Sequence, residues 1–495
     1  MLTLPDCINV RECGALGDGI HDDAPAIQTA LSRAAAQGGT VYLPAGVYRM
    51  AAGVTVPFGV NVTGITTAVT GPWQNYLDTA DKGFPLPDGI RLDTVGENWI
   101  DPKLFKGTWV ICDHGIGDPQ GEPTFRLEGG TSISRIGFVN RCLPPVTETV
   151  TPCPPCIAHI SENALPYTRE GVTVEDISLA NCYYGIVLAA GRELETGYPE
   201  LSDPSVLSKS CGRHRIHNIM GGPVYRGIVL KNLLDTVDIH NCQFNYSCYV
   251  STYCAARSLE GVDIWFSRGD GMNMQNILSY GARHALLTEP SFKNNMGTCS
   301  FRLSNVNFEG LEPLVLHSGG MYEIANSYFL GCPPCGYGAG QPITCCTIRQ
   351  PENCIHNPFI VFSGCVFQLC APGRHIEAEQ FSGCNPSFVN CQFWGYDSDR
   401  ALIRMRKHGK AAGSLTLSDC VVIGRMGTEN KPSEMPGTLA EADGAGYHDG
   451  DLRFVHCRFP DSLLNDTSRR GIWYDGCVVF DDEGENHRIS IGSFC

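Results

Sequence analysis

The feature that most limits how this chain can fold is a short phrase that returns eleven times. It reads apolar, any, apolar, two or three polar residues, a small residue, any, an aromatic or aliphatic residue, and then often glycine. Copies begin at Ser132 (SISRIGFVN), Val174, Thr236, Met272, Phe301, Tyr322, Ile360 (IVFSGCVFQL), Pro386, Leu415, Leu452 and Ile472. Alternation of period 2 on either side of a sharp bend predicts strand, bend, strand and not helix. Copies about 20 to 40 residues apart mark a solenoid, in which each repeat packs only on its neighbours. A domain-size prior would divide 495 residues into about three domains. A solenoid escapes that prior, so we expect one all-β domain over 1–495.

The phrase also accounts for many of the 25 cysteines. Cys182, Cys242, Cys365, Cys391, Cys420, Cys457 and Cys477 are read into one slot, which Val306 and Ser327 fill in other copies. Stacked copies would line these side chains up indoors, where a free thiol packs as a small apolar group. CPPC at Cys153–Cys156 and Cys332–Cys335, with the Cys345–Cys346 pair, raises a zinc knuckle as the rival reading. Neither CPPC pair has the expected histidine spacing nearby, and both fall in Pro-rich inter-repeat loops.

Ahead of the repeats, Gly14–Tyr48 (GALGDGIHDDAPAIQTALSRAAAQGGTVYLPAGVY) reads as a Gly/Asp turn, a short helix, a second glycine turn and a first strand. Asp22 or Asp23 is expected to cap the helix through its carboxylate, Pro25 suits the first turn, and Gly38 supplies a left-handed ending. Ile27, Ala30, Leu31 and Ala34 share one face, which needs an apolar seat such as the bare first edge of a strand stack. The block resembles the N-terminal signature of the pectate-lyase-like superfamily, which includes rhamnogalacturonase-like and glycoside hydrolase family 28-related proteins. Gly14, Gly17, Asp18, Gly19, Asp22, Asp23, Ala26, Ile27, Gln28, Ala30, Gly38, Gly39, Pro44, Gly46 and Tyr48 carry the likeness. The resemblance implies a single-stranded right-handed parallel β-helix of pectin-lyase type, with 14–48 as N-terminal cap and first strand. It leaves the reaction open, because glycosidases, lyases, fructan-processing enzymes and phage tailspikes share the superfamily. Many such proteins are trimers, so a homotrimer is expected from the same likeness.

Composition sets the partners. With 36 Lys and Arg against 52 Asp and Glu the chain carries −16, so a nucleic-acid backbone is repelled. No apolar run reaches membrane-spanning length, and MLTLPDCINVRE has neither a basic n-region nor an apolar core. The expectation is a cytoplasmic protein, or a secreted one if residues precede Met1, whose partner is a carbohydrate. The stretch 72–107 is too long for an ordinary connection and reads as an inserted functional loop. Irregular loops are expected near 141–170, 189–215, 245–261, 331–357 and 425–450, building the walls of a groove. Cys211–Arg226 is the most basic stretch and reads as a loop, solvated or bound to an acidic sugar.

The Asn-Thr-Asp, Asp-Asp, Gly-His-Gly and Arg-Ile-Lys motifs of family 28 polygalacturonases are absent, so that active site does not carry over. Coil geometry offers another. Equivalent positions on adjacent coils lie ~4.8 Å apart. Acids one coil apart therefore approach the ~5–5.5 Å of a retaining glycosidase pair, and two coils apart the ~6.5–9.5 Å of an inverting pair. Asp263, Asp270, Glu309 and Glu323 are the catalytic candidates, and Trp265, Arg268, Arg302 and His284 the substrate-binding ones. In VDIWFSRGDG, Asp263 and Trp265 alternate with apolar residues and should share the outer face, indole beside carboxylate, as a sugar ring requires. Arg302 and Glu323 fall at one slot of adjacent copies, as a salt bridge or as a substrate clamp with an acid or base. The expected activity is cleavage or transfer of a glycosidic bond by paired carboxylates, without cofactor or metal. The alternatives are β-elimination on a uronate glycan, with calcium possible, and a tailspike-like glycan-binding protein.

Overall fold

The computed structural model describes residues 7–36, 38–66, 104–144, 149–161, 170–190, 211–245, 251–289, 298–317, 320–334, 337–338, 340–349, 359–380, 384–395, 401–407, 413–423, 440–443, 451–460, 463, 472–480 and 486–491. Most of the stretch 72–107, and the greater part of the loops near 189–215 and 425–450, lie outside them. The chain divides into two compact units, one of 1–197 with 203–265 and the other of 198–202 with 266–495. Both are built from parallel strands in register, the arrangement of a parallel β-helix. Among the described residues, no helix is long and apolar enough to cross a membrane.

In the first unit, strands Ser132–Asn140, Thr173–Ala180, His214–Gly222 and Thr236–Phe244 lie side by side. Ile133, Val174, Ile216 and Ile239 form one inward row, fully buried, and the next residues Ser134, Glu175, His217 and His240 form the outward row beside it. A second stack runs through Val54–Val56, Phe125–Leu127, Pro155–Ser161, Tyr184–Ala190 and Arg226–Lys231. The helix α1, Ala24–Ala35, buries Ile27, Ala30, Leu31 and Ala34 completely and packs on Cys7–Asn9, Gly39–Tyr42 and Val54–Val56. Its capping differs from expectation. Asp23 stands at the N-cap, but its carboxylate turns away to accept from the N–H groups of Leu16 (2.6 Å) and Gly17 (3.2 Å). Asp22 accepts from Ala24 and Ala51 instead, tying the helix start to the next strand.

The second unit repeats the plan. Gly271–Tyr280 pairs with Thr298–Gly310, which is followed by split strands such as Gly320–Ala325 with Tyr328–Gly331, and Phe359–Ser363 with Val366–Leu369. The series ends at Ile472–Phe480, on which Asn486–Ile491 folds back antiparallel. Inward phenylalanines stack coil on coil, with Phe362 and Phe388 4.5 Å apart and Phe367 and Phe393 5.1 Å apart. Each such side chain contributes about 1.5–3 kcal/mol on burial. The bend of each coil is a residue with left-handed backbone: Asp176, Asn218, Asn241, Asn276, Asn305, Asn326, Asn390, Asp419 and His456 have φ of 50–56°, and Gly364 and Gly476 have 62° and 61°. Asparagine and aspartate recur there because other L-residues strain in this region by ~1–2 kcal/mol.

The residue after the bend is the cysteine slot, and register corrects its membership. Val306, Ser327, Cys365, Cys391, Cys420, Cys457 and Cys477 share one row in the second unit. Cys242 shares a row with Ile219 and Ile177 in the first. Cys182 is not in the slot. It lies five residues beyond Ile177, in a separate run with Cys156 and Cys112, whose Sγ atoms are 3.8 Å apart. The slot thiols are free and buried, and each hydrogen-bonds backbone: Cys420 Sγ donates to Phe388 O and Ser418 O, both at 3.3 Å. A thiol reagent is therefore expected to label Cys7 and Cys370, both exposed, and to reach the slot thiols only after unfolding, as mass mapping would read.

Candidate functional site

Only some of the sequence candidates come together. Asp263 points away from the coil interior as the alternation requires, but it is fully buried, because helix α2, Ser251–Glu260, lies over that face. Segment 245–261 is thus partly helical and not an irregular loop. Arg257 of α2 binds Asp263 twice, Nη1 to Oδ1 at 2.7 Å and Nη2 to Oδ2 at 2.9 Å, so the carboxylate is a structural partner and not a groove acid. Trp265 is half-buried against Ala158, Val187, Ala189 and Val229 and does not present an open sugar platform.

In the second unit Arg268 is buried and its Nη2 is 3.9 Å from Asp270 Oδ1, with Asp270 half-exposed. Arg302 and Glu323 are in register and 3.1 Å apart, with both side chains more than 60% exposed, which makes them a surface ion pair of about 0.2–1 kcal/mol. His284 Nδ1 sits 2.7 Å from Glu312 O and is held as a backbone donor. His375 is buried with Nε2 2.9 Å from Trp394 O.

Glu309 fares better. It lies in an outward row with Tyr280, Leu330, Gln368 and Trp394, beside a row containing Asn307 and Tyr328. Burial holds its carboxyl above the usual range, partly offset by a hydrogen bond from Asn307. Tyr328 donates to Gln368 Oε1 at 2.7 Å, and burial pushes its phenol up to about 12. This is an aromatic, amide-rich face with one carboxylate, while Glu323 lies beyond the Asn326 bend in another row. The four acids therefore make no coil-adjacent pair. Two other carboxylates do share a face, Glu377 and Glu379 on Arg374–Gln380, but Arg374 and Arg404 flank the first and Arg349 and Arg406 the second.

The tightest outward constellation is one that sequence reasoning divided. Strand His214–Gly222 was expected as a basic loop; it is a full coil whose copy of the phrase, RIHNIMGG, escapes notice because Gly221 replaces the usual aromatic residue. Its register puts His217 beside His240 and Arg215 beside Asp238. Asp238 Oδ2 lies 3.2 Å from His217 Nε2 and 3.5 Å from His240 Nε2, and the two rings stack 3.6 Å apart at 29°. Glu175 continues the row on the preceding coil. Burial, then the neighbouring His240 ring, holds His217 below its ordinary value, against the pull of Asp238 and Glu175. Asp238 Oδ2 accepts from His217 Nε2, which fixes that ring's proton on Nε2 and leaves its Nδ1 as the basic nitrogen, while His240 Nε2 stands within ion-pair range of the same oxygen. The detectable signal was Asp-x-His at 238–240 one coil after His217.

Comparison with known proteins agrees with the fold. Residues 7–71 match the family model described as rhamnogalacturonase A/epimerase, pectate lyase-like. Mannuronan C5-epimerase AlgE3 of Azotobacter vinelandii is 63% identical over 101 residues, 20% of this chain and 4% of that protein. Alginate lyase 7 of the same organism is 56% identical over 96 residues, 19% of this chain and 11% of that protein. The first relatives found, AlgE1 and AlgE2, are matched over only 6% and 9% of their own length. Among solved structures, DFA-IIIase from Arthrobacter chlorophenolicus A6 in complex with GF2 superimposes with TM-score 0.53 and 12% identity, over 94% of this chain and 98% of that one. Its likeness concerns the fold, and with the in-register coils it identifies this chain as a parallel β-helix protein whose residues 7–71 are similar to the pectate-lyase-like family.

Proposed function

We propose that this chain is a carbohydrate-active enzyme acting on a glycan, and that its reaction is proton transfer at a uronate residue carried by His217, Asp238 and His240. In this reading the coils wind right-handed, with α1 over their first edge. The observation that carries the reaction is the single carboxylate oxygen shared by two stacked imidazoles on an outward face. The hydrogen on the carbon next to a uronate carboxylate is acidic enough for an imidazole base once the carboxylate charge is offset, and Arg215 lies in the row of Asp238. His217 Nδ1 would take that proton, and the second imidazole could return one. Return to the same carbon gives epimerisation; loss of the neighbouring glycosidic oxygen instead gives β-elimination. The partial relatives named as epimerases and an alginate lyase support this class.

The experiment is incubation of polyuronates in deuterium oxide, followed by NMR and by absorbance of unsaturated uronate. Deuterium at the carbon next to the carboxylate marks return of the proton, and absorbance of unsaturated uronate marks elimination; one or the other is expected. Reducing ends with neither would reject proton abstraction, and no change in any glycan would leave a binding protein. Because burial lowers the His217 pKa and the neutral ring is the base, the rate should rise as pH climbs through that lowered value and then level off.

A second reading is favoured by Glu309, whose raised pKa suits a proton donor to a glycosidic oxygen beside Tyr280, Tyr328 and Trp394. Glycosidic cleavage or transfer would then proceed there, with reducing ends or transfer products as its mark. Under this reading Glu309→Gln lowers turnover by roughly 10²-fold or more, and the wild-type rate falls as pH rises past the raised pKa. An unchanged rate in Glu309→Gln removes this face from the chemistry.

A further inference from the structure

Among the described residues of the first unit, two groups of side chains have metal-ligating atoms within 4.8 Å of one another: His159, Cys211 and His214, all buried, and His217, Asp238 and His240, all half-buried. They differ in whether their lone pairs can be offered. His214 Nδ1 accepts the N–H of Val172 at 3.2 Å, so its remaining proton sits on Nε2, directed at Cys211 Sγ at 3.3 Å. A cation there would need an imidazolate, or would break a buried backbone hydrogen bond. That group is a hydrogen-bond chain.

The second group has the opposite character, and we propose that His217, Asp238 and His240 form a binding site for a borderline divalent transition-metal cation of the Zn²⁺ type. Around a tetrahedral zinc with N and O ligands at ~2.0–2.1 Å, neighbouring ligand atoms stand about 3.3 Å apart. The two Asp238 Oδ2 distances, 3.2 and 3.5 Å, already match that edge. A cation can enter if the His217 and His240 rings, stacked 3.6 Å apart at 29°, turn so that both Nε2 lone pairs converge on it, with the two distances to Asp238 Oδ2 kept. Each neutral ring keeps one proton, transferred through solvent from Nε2 to Nδ1 as Nε2 takes the metal. Binding to two neutral rings thus releases no net proton. Glu175, in register with His217 on the preceding coil, is a source of a fourth ligand, an oxygen, so the site carries two carboxylates against one cation, with Arg215 in register with Asp238. Two imidazoles and few oxygens suit Zn²⁺ or Co²⁺ and not Ca²⁺ or Mg²⁺, which prefer six or more oxygen ligands.

The inference stands on geometry and not on the proton-transfer reading. The two meet in one consequence: metal on Nε2 pins both rings and neutralises the carboxylate that orients them, so occupancy and acid–base work exclude one another.

The test uses full-length, metal-stripped protein titrated with Co²⁺ and followed by visible absorption. One equivalent should give the ligand-field bands of a nitrogen–oxygen site without a thiolate charge-transfer band. Zn²⁺ should remove the bands, and excess Ca²⁺ should not. His240→Ala and Asp238→Asn should each weaken the apparent affinity by at least roughly 10- to 100-fold, the loss typical of perturbing even an outer partner of a metal ligand. Cys211→Ser should leave the spectrum unchanged. Thermal unfolding of each variant, without metal, confirms that the fold is intact. Absence of bands, a thiolate band, or a spectrum that survives His240→Ala and is lost in Cys211→Ser would overturn the proposal.

Discussion

His240→Ala is expected to lower turnover of a uronate glycan by roughly 10²- to 10⁴-fold, the range a positioned proton-transfer group supplies. Asp238→Asn should come close to it, because the amide brings no charge to the His217 Nε2–H or to the nearby His240 Nε2, and the rings lose their common anchor. The comparison that isolates chemistry from structure is deuterium wash-in against thermal midpoint. All three side chains are half-buried on an outward face, so truncation opens no cavity and the midpoint should barely move. Wash-in at the wild-type rate in both variants would remove this row from the reaction, whatever the glycan. It would not touch the cobalt spectrum, which reports on the same atoms by another route.

The second large effect is on stability. Asp263→Ala strands the Arg257 guanidinium between α2 and the sheet face, where both partners are at most 1% exposed. Breaking a buried pair from one side costs about 3–5 kcal/mol, while replacing both partners by apolar residues of similar volume can be neutral. Asp263→Ala should therefore lower the denaturation midpoint sharply, and Arg257→Met with Asp263→Leu should regain much of the loss. Glu323→Ala is the control, since its ion pair with Arg302 is exposed and should shift the midpoint little. Equal effects at 263 and 323 would mean that α2 does not hold its face through this pair. A wider consequence is that lost activity in Asp263 variants would report unfolding of the α2 region and not the loss of a catalytic acid.

These contrasts show where the sequence was legible. Phrase periodicity fixed strand, bend and strand, because an inward row buried over many coils leaves a period-2 trace in every copy. It also placed Arg302 opposite Glu323 correctly, since both belong to clear copies one coil apart. It could not place Asp263, because alternation states which side of a strand a residue takes and says nothing of what covers that side. The covering element, α2, sits in a segment without the phrase. The His217 coil was missed for a related reason: Ile219 fills the thiol slot and Gly221 the aromatic one, so the copy lacked both landmarks by which the others were found. Cys182 shows the reverse error, a cysteine after an asparagine that mimicked the slot while register put Ile177 there.

Register has one more consequence, and it concerns how such a protein can change over generations. Every row passes through each coil once, at a fixed height above the left-handed bend. Duplication or loss of an entire turn therefore extends or trims the rows while leaving lining and exterior where they were. A single inserted amino acid within a strand does the opposite, exchanging the two faces from that point to the next bend. Variation among descendants of this chain should accordingly accumulate as loop growth between turns and as gain or loss of complete turns, with length changes inside the phrases purged.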